Sequence, residues 1–169
     1  GQPLHAYDLD TIKSGNIEIK TLDSGISFTT LEGNDITLHE DDLMVCDGDI
    51  PMCIAGVYGG KNHSVNNTTK TIFLESAFFN PVSVRKTAKR HNLNTDSSYR
   101  FERCVDIDLV EYALKRAAAL IIDDCKSEII CDVIDEYPKK DEEKNIVINF
   151  EKINNLIGYE IDKLKIKSI

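Results

Sequence analysis

Thr71–Asp106, TIFLESAFFNPVSVRKTAKRHNLNTDSSYRFERCVD, decides how the rest of the chain is read. Ile72, Phe73 and Leu74 form a short apolar run of β-favouring types, which predicts a strand that delivers Glu75 beside packed surface. Asn80-Pro81 predicts a helix start, because Asn can accept from the free N–H groups of a first turn and Pro at the first helical position loses no hydrogen bond. The helix is expected from Pro81 to about His91. Its cations, Arg85, Lys86, Lys89, Arg90 and His91, crowd the second half, where they suit the macrodipole, and Asn92 suits the exit. Asn94–Ser98 reads as a polar loop whose side chains bond locally to backbone, followed by the aromatic and basic mixture Tyr99–Arg103. The stretch therefore sets a polar site against an apolar wall, with phosphate-competent cations nearby. Charge runs usually serve solubility, so the basic helix alone does not define a ligand site.

On the N-terminal side, Asn16–Lys20, Ile26–Leu31 and Asp35–Leu38 alternate as strands with turns at Asp23-Ser24-Gly25 and Glu32-Gly33-Asn34, which predicts an antiparallel meander. Leu43–Cys46 and Met52–Val57 continue the strands around a turn at Asp47-Gly48-Asp49. Ala55–Gly60, AGVYGG, is not a phosphate loop: Lys61 is followed by Asn62 where a hydroxyl residue is needed, and the glycine spacing fails the dinucleotide pattern. Glycines at a strand end instead let backbone approach a ligand or a neighbour. His5, between Leu4 and Ala6, has the setting of a structural hydrogen-bonder more often than of a catalyst.

On the C-terminal side, Asp108–Asp124 predicts a long amphipathic helix with Leu109, Ala113, Leu114, Ala117, Leu120 and Ile121 on one face. Glu128–Ile134 reads as a strand. The charged, proline-led run 138–144 reads as a linker between a domain at residues 1–137 and the incomplete beginning of another at 145–169, where a helix from Ile148 ends at Gly158. The two ends of the sequence read as those of a fragment.

The 169 residues carry 20 Lys and Arg against 29 Asp and Glu, a net charge of -9, which excludes a protein held to nucleic acid by bulk charge and requires any such contact to be local. No apolar stretch is long enough to span a membrane. The five cysteines include no CxxC pair and fit the reduced thiols of a cytoplasmic protein, and with four dispersed histidines they give no metal-ligand spacing.

Three ordered blocks, GQPLHAYDLD at Gly1–Asp10, AGVYGG at Ala55–Gly60 and LESAFFNPVSVRKTAKRHNLNTDSSYRFER at Leu74–Arg103, resemble the β chains of bacterial phenylalanyl-tRNA synthetases, and the resemblance covers almost the whole chain. It implies an α+β fold, a three-layer unit of mostly antiparallel strands and helices. It also implies a pocket that hydrolyses tyrosine wrongly attached to the phenylalanine tRNA by recognising the para-hydroxyl. Carried over residue by residue, the pocket positions match His5, Gly59, Glu75, Thr95 and Ser97. Glu75, Gly59 and Ser97 would bind the amino acid, with Glu75 as selector, while His5 and Thr95 would position the ester and a water. No general base is assigned. Ser97 stands where alanine is common, and Cys104 where glycine is usual. The implied partners are the phenylalanine tRNA, the synthetase α chain and an α2β2 heterotetramer, with no membrane. No cofactor is expected in this segment, ATP and Mg2+ belonging to the whole synthetase. The alternative is a non-catalytic module that grips tRNA through Arg85, Lys86, Lys89 and Arg90, or that serves subunit assembly. Glu75 favours the first reading, since a phosphate binder gains nothing from a carboxylate at the end of an apolar strand.

Overall fold

The computed structural model describes residues 1–137 and 145–169, so the expected linker at 138–144 lies outside the described residues. The chain separates into two compact units, Gly1–Asp132 and Val133–Ile169. The first is an α+β unit whose strands all pair antiparallel.

The expected strand carrying Glu75 is β8 (Ile72–Ser76), and its partner is β1 (Leu4–Asp8), a strand that the sequence reading did not assign. The register sets His5 opposite Glu75 and Tyr7 opposite Phe73. Because side chains alternate along a strand, His5, Tyr7, Phe73 and Glu75 share one face of this ribbon.

The meander is corrected. β2 (Ile17–Thr21) does not pair with β3 (Ser27–Thr29) but with β5 (Leu43–Asp47), in the order β2-β5-β6-β7 with β6 at Ile50–Ile54 and β7 at Tyr58–Gly59. β3 pairs only with β4 (Asp35–Thr37) in a ribbon of its own. Long-range polar anchoring decides this: the Asp47 carboxylate accepts from the backbone N–H groups of Lys13 at 2.7 Å and Ser14 at 2.8 Å, fixing the chain just before β2 beside the end of β5. Gly25, meanwhile, donates its N–H to Leu38 and not across to β2.

Helix α1 (Pro81–Arg90) starts as its sequence demands, with the Asn80 side chain accepting from Val82 N–H at 2.9 Å and Asn92 leaving at φ 54°. The loop expected at Asn94–Ser98 is in fact the entry to a second helix, α2 (Asp96–Phe101). Thr95 caps it, accepting from Ser98 N–H while the Ser98 hydroxyl accepts from Thr95 N–H. This reciprocal pair satisfies two donors that a helix start leaves free, which is why a hydroxyl-rich run became a helix and not a turn.

α3 (Val110–Cys125) packs on β8, and Ser76 Oγ donates to Val110 C=O at 2.9 Å. Its contact face is rotated from the expected one: Val110, Ala113, Leu114, Ala117 and Ile121 are half-buried, whereas Leu109 and Leu120 are exposed. Glu128–Ile134 forms no strand, and Ile134 is 81% exposed. A strand needs a neighbour for its backbone groups, and none of the described strands runs beside this segment.

In the second unit, Asn149 caps α4 (Phe150–Ile157), which Gly158 ends at φ 75°, and Asp162 caps α5 (Lys163–Ser168).

Cys104 adopts φ 64°, a left-handed conformation that costs a residue with a Cβ roughly 1–2 kcal/mol. Cys104→Gly is therefore expected to raise stability by about 0.5 kcal/mol, the relief of strain outweighing the greater freedom of glycine in the unfolded chain. Urea denaturation checks this, and a lower midpoint for the variant would refute it.

Candidate functional site

One cavity of about 220 Å³ lies where β1, β8, the Gly56–Gly59 bend and α2 meet, and His5, Gly59, Glu75, Thr95 and Ser97 all line it. These five positions are 92 residues apart at their extremes, yet the fold brings them together. Leu4, Leu31, Cys53, Val57, Phe79 and Phe101 supply apolar wall. For scale, an apolar cavity of about 150 Å³ accepts benzene.

Glu75 is the sole carboxylate in this lining. Its Oε2 accepts from the Tyr7 hydroxyl at 2.6 Å, and Oε1 makes no hydrogen bond among the described residues. Burial pushes the Glu75 carboxyl above the usual range, and the Tyr7 hydroxyl partly restrains that rise. Tyr7 itself is fully buried. Burial pushes its phenol well up, helped by Cys53 and Glu75, so it remains a neutral donor.

His5 stacks on Tyr7 with ring centroids 4.2 Å apart, and burial lowers its pKa. It is thus a neutral imidazole at neutral pH. It makes no hydrogen bond to the protein among the described residues, in contrast to the structural hydrogen-bonder that its sequence setting suggests.

Gly59 lies against that ring. A Cβ there would collide with His5 Cε1 and stand 3.0 Å from Leu31 Cδ1. The absence of a side chain is what lets His5 sit over the cavity. Gly59→Ala is accordingly expected to displace the imidazole and close part of the cavity, lowering turnover of any ligand held there by about tenfold or more, since misplacement by about 1 Å can cost on the order of a hundredfold. Ligand turnover by folded variant and parent checks it, and equal rates would show that the ring yields without consequence.

Thr95 is more committed than its sequence position suggests. Its hydroxyl donates to Val57 C=O at 2.8 Å and accepts from Ser98 N–H at 3.0 Å, which leaves one lone pair and no proton for a ligand. Ser97 Oγ donates to Gly56 C=O at 3.0 Å, so this hydroxyl is spent on backbone. Thr95 also lines a second, polar hollow of about 240 Å³ with Asn94, Asp96, Ser98, Tyr99 and Glu102.

None of the four α1 cations lines either hollow. Arg90 is already bound to the carboxylates of Asp42 and Asp41, whereas Arg85, Lys86 and Lys89 are exposed and form no ion pair among the described residues.

Sequence reasoning passed over Tyr7 and the buried Asp42. Tyr7 had one signal, its spacing of two from His5, which places both on one face once a strand is assigned. Asp42 had none. Among the described residues no group of ligands could hold a metal ion, and no helix is long and apolar enough to cross a membrane.

The chain that forms this cavity is similar to known proteins. The chain is similar over its whole length to the phenylalanine–tRNA ligase β subunits of Bacteroides fragilis (strain YCH46), at 43% identity, and Porphyromonas gingivalis, at 46%. Over 95% of its length it is similar to that of Salinibacter ruber, at 42%. It spans only about a fifth of these relatives, 21%, 21% and 19% of their respective lengths. Residues 1–126, which contain every residue of the cavity, match the B3/4 domain family, and the chain belongs to that family.

Proposed function

We propose that this chain is the part of a phenylalanine–tRNA ligase β subunit that hydrolyses tyrosine esterified in error to the phenylalanine tRNA. The observation that carries the reading is Glu75: one carboxylate oxygen is held by Tyr7 and the other is left unpaired among the described residues, in a cavity walled mainly by apolar side chains and holding no other carboxylate.

Tyrosine and phenylalanine differ by one para-hydroxyl, and an apolar synthetic site cannot strongly reject an isostere that merely adds a hydroxyl. A second site inverts the test. A phenol entering this cavity donates to Glu75 and gains a charge-assisted hydrogen bond, worth roughly 1.5–3 kcal/mol. A phenylalanine ring leaves the carboxylate desolvated and unpaired, so the cognate ester is spared.

The hydrolytic step is attack of water on the ester carbonyl, with the amino acid leaving as a carboxylic acid and the terminal ribose regaining its hydroxyl. Neutral His5 can orient that water through a ring nitrogen, and Thr95 can accept one hydrogen bond from the water or the ribose. Positioning of this kind supplies a large share of the barrier reduction for an activated ester. The polar hollow that shares Thr95 offers room for the hydroxyl-bearing end of the tRNA. The α chain, an α2β2 assembly and the ATP and Mg2+ of aminoacylation belong to the whole ligase on this reading, and residues 145–169 to its next module.

The test is deacylation of Tyr-tRNA(Phe) and Phe-tRNA(Phe) by the assembled two-chain ligase. Faster release of tyrosine supports the reading, and equal rates for the two esters would remove it.

A second reading, a module that only grips tRNA, draws on Arg85, Lys86 and Lys89, which are exposed and form no ion pair among the described residues. Neutralising all three is expected to flatten the dependence of log affinity on log salt by about 2–3 if each meets a phosphate. An unchanged slope would show these cations to be a solvated face.

A further inference from the structure

We infer that Tyr7 is a positioning residue for the cavity, aiming the free oxygen of Glu75 and the imidazole of His5 at the bound ligand; the inference rests on the editing function proposed above. Tyr7 lies on β1 two residues beyond His5 and diagonally across the ribbon from Glu75. From there its ring carries the His5 ring, tilted by 25°, while its hydroxyl reaches Glu75 Oε2 at 2.6 Å. One buried side chain therefore contacts both polar groups that would meet the substrate.

The arrangement has a chemical consequence. A free carboxylate can rotate and present either oxygen, but a carboxylate pinned through one oxygen presents the other in a fixed direction. The phenol of Tyr7 makes with Oε2 the same kind of bond that a substrate phenol would make with Oε1. Pinning leaves Oε1 as the oxygen without a partner among the described residues, so tyrosine is read from a fixed direction. It also favours the charged state of Glu75 against burial.

The titratable groups facing Glu75 are His5 and Tyr7 from β1 and Cys53 from β6. The half-buried side of α3, the helix packed on β8, is apolar. His5 is held neutral by burial, and burial raises the Cys53 thiol, so neither offers a positive charge to replace the Tyr7 bond.

The experiment uses Tyr7→Phe, which removes only the hydroxyl and keeps the ring under His5. Two quantities are read in the assembled ligase and in the variant: the titration of Glu75 by carboxyl 13C resonance, and the ratio of tyrosyl to phenylalanyl ester hydrolysis against pH. The titration is expected to move upward, and the ratio to fall about tenfold at neutral pH. The ratio should then recover in part as pH rises through the new midpoint. An unchanged titration overturns the proposal, whether the ratio holds, because Tyr7 then only fills space, or falls equally at every pH, because the loss is then one of packing. If the parent ligase hydrolyses neither ester, the proposed function fails. The Glu75 titration still decides the role of Tyr7 in that case.

Discussion

Glu75→Ala is expected to abolish the preference for the tyrosyl ester, lowering the ratio of tyrosyl to phenylalanyl hydrolysis by roughly ten- to a hundredfold. The magnitude follows from losing one hydrogen bond to a charged group, about 1.5–3 kcal/mol, at about 1.4 kcal/mol for each factor of ten. The direction for the phenylalanyl ester is opposite. Its hydrolysis should rise, because an apolar ring no longer has to be buried against an unpaired carboxylate. Removing the side chain relieves a carboxyl that burial disfavours but leaves the buried Tyr7 hydroxyl without its acceptor, so the two effects on stability oppose each other. Deacylation of both esters by the assembled ligase, with a thermal melt, provides the check. A fall that is equal for both esters would mean that Glu75 supports the cavity without selecting its occupant.

Asp42→Ala should carry the largest cost in stability, about 2–4 kcal/mol. Its carboxylate is fully buried and accepts from Thr87 Oγ1 at 2.9 Å, from His39 N–H at 2.9 Å, from His91 Nε2 at 2.5 Å and from Arg90. These bonds tie the end of α1 to the turn before β5. Loss of one member of a buried pair commonly costs about 3–5 kcal/mol, reduced here because Arg90 keeps some contact with water. The pH dependence has a definite sign. Burial alone would raise the Asp42 carboxyl, but the hydrogen bonds from His91, His39 and Thr87 prevail and hold it below its usual range. A carboxyl depressed in the folded state contributes stability above its unfolded value of about 3.9, and that contribution is lost as pH falls from there through the folded value. The gap between parent and Asp42→Ala should therefore narrow on acidification below about pH 4, as denaturant midpoints across pH would reveal. A gap independent of pH would assign the loss to packing.

Much of this molecule was readable one segment at a time. Asn80-Pro81 opened α1, Gly158 closed α4, which starts at Phe150 and not at the expected Ile148, and Ile72–Leu74 marked the strand that carries Glu75. The five candidate cavity residues came from resemblance, and the fold gathers them around one space. What stayed illegible was contact between distant segments. β1 is five residues long and meets β8 more than sixty residues later, and nothing inside LHAYD announces that partner. Glu128–Ile134 erred in the other direction, with the composition of a strand and no strand beside it.

The limits of α1, the stop of α4 and the strand at Ile72–Leu74 follow from local sequence, because capping, proline geometry and apolar periodicity act within a few residues of chain. Only the tertiary structure decided that β2 joins β5, that Thr95 spends its hydroxyl on capping α2 and on Val57, that Asp42 is a buried hub, and that Tyr7 pins one oxygen of Glu75. Each of these is a hydrogen bond or ladder between groups remote in the chain or shared with a neighbouring element. Its free energy exists only once both partners have been brought to the same place and removed from water.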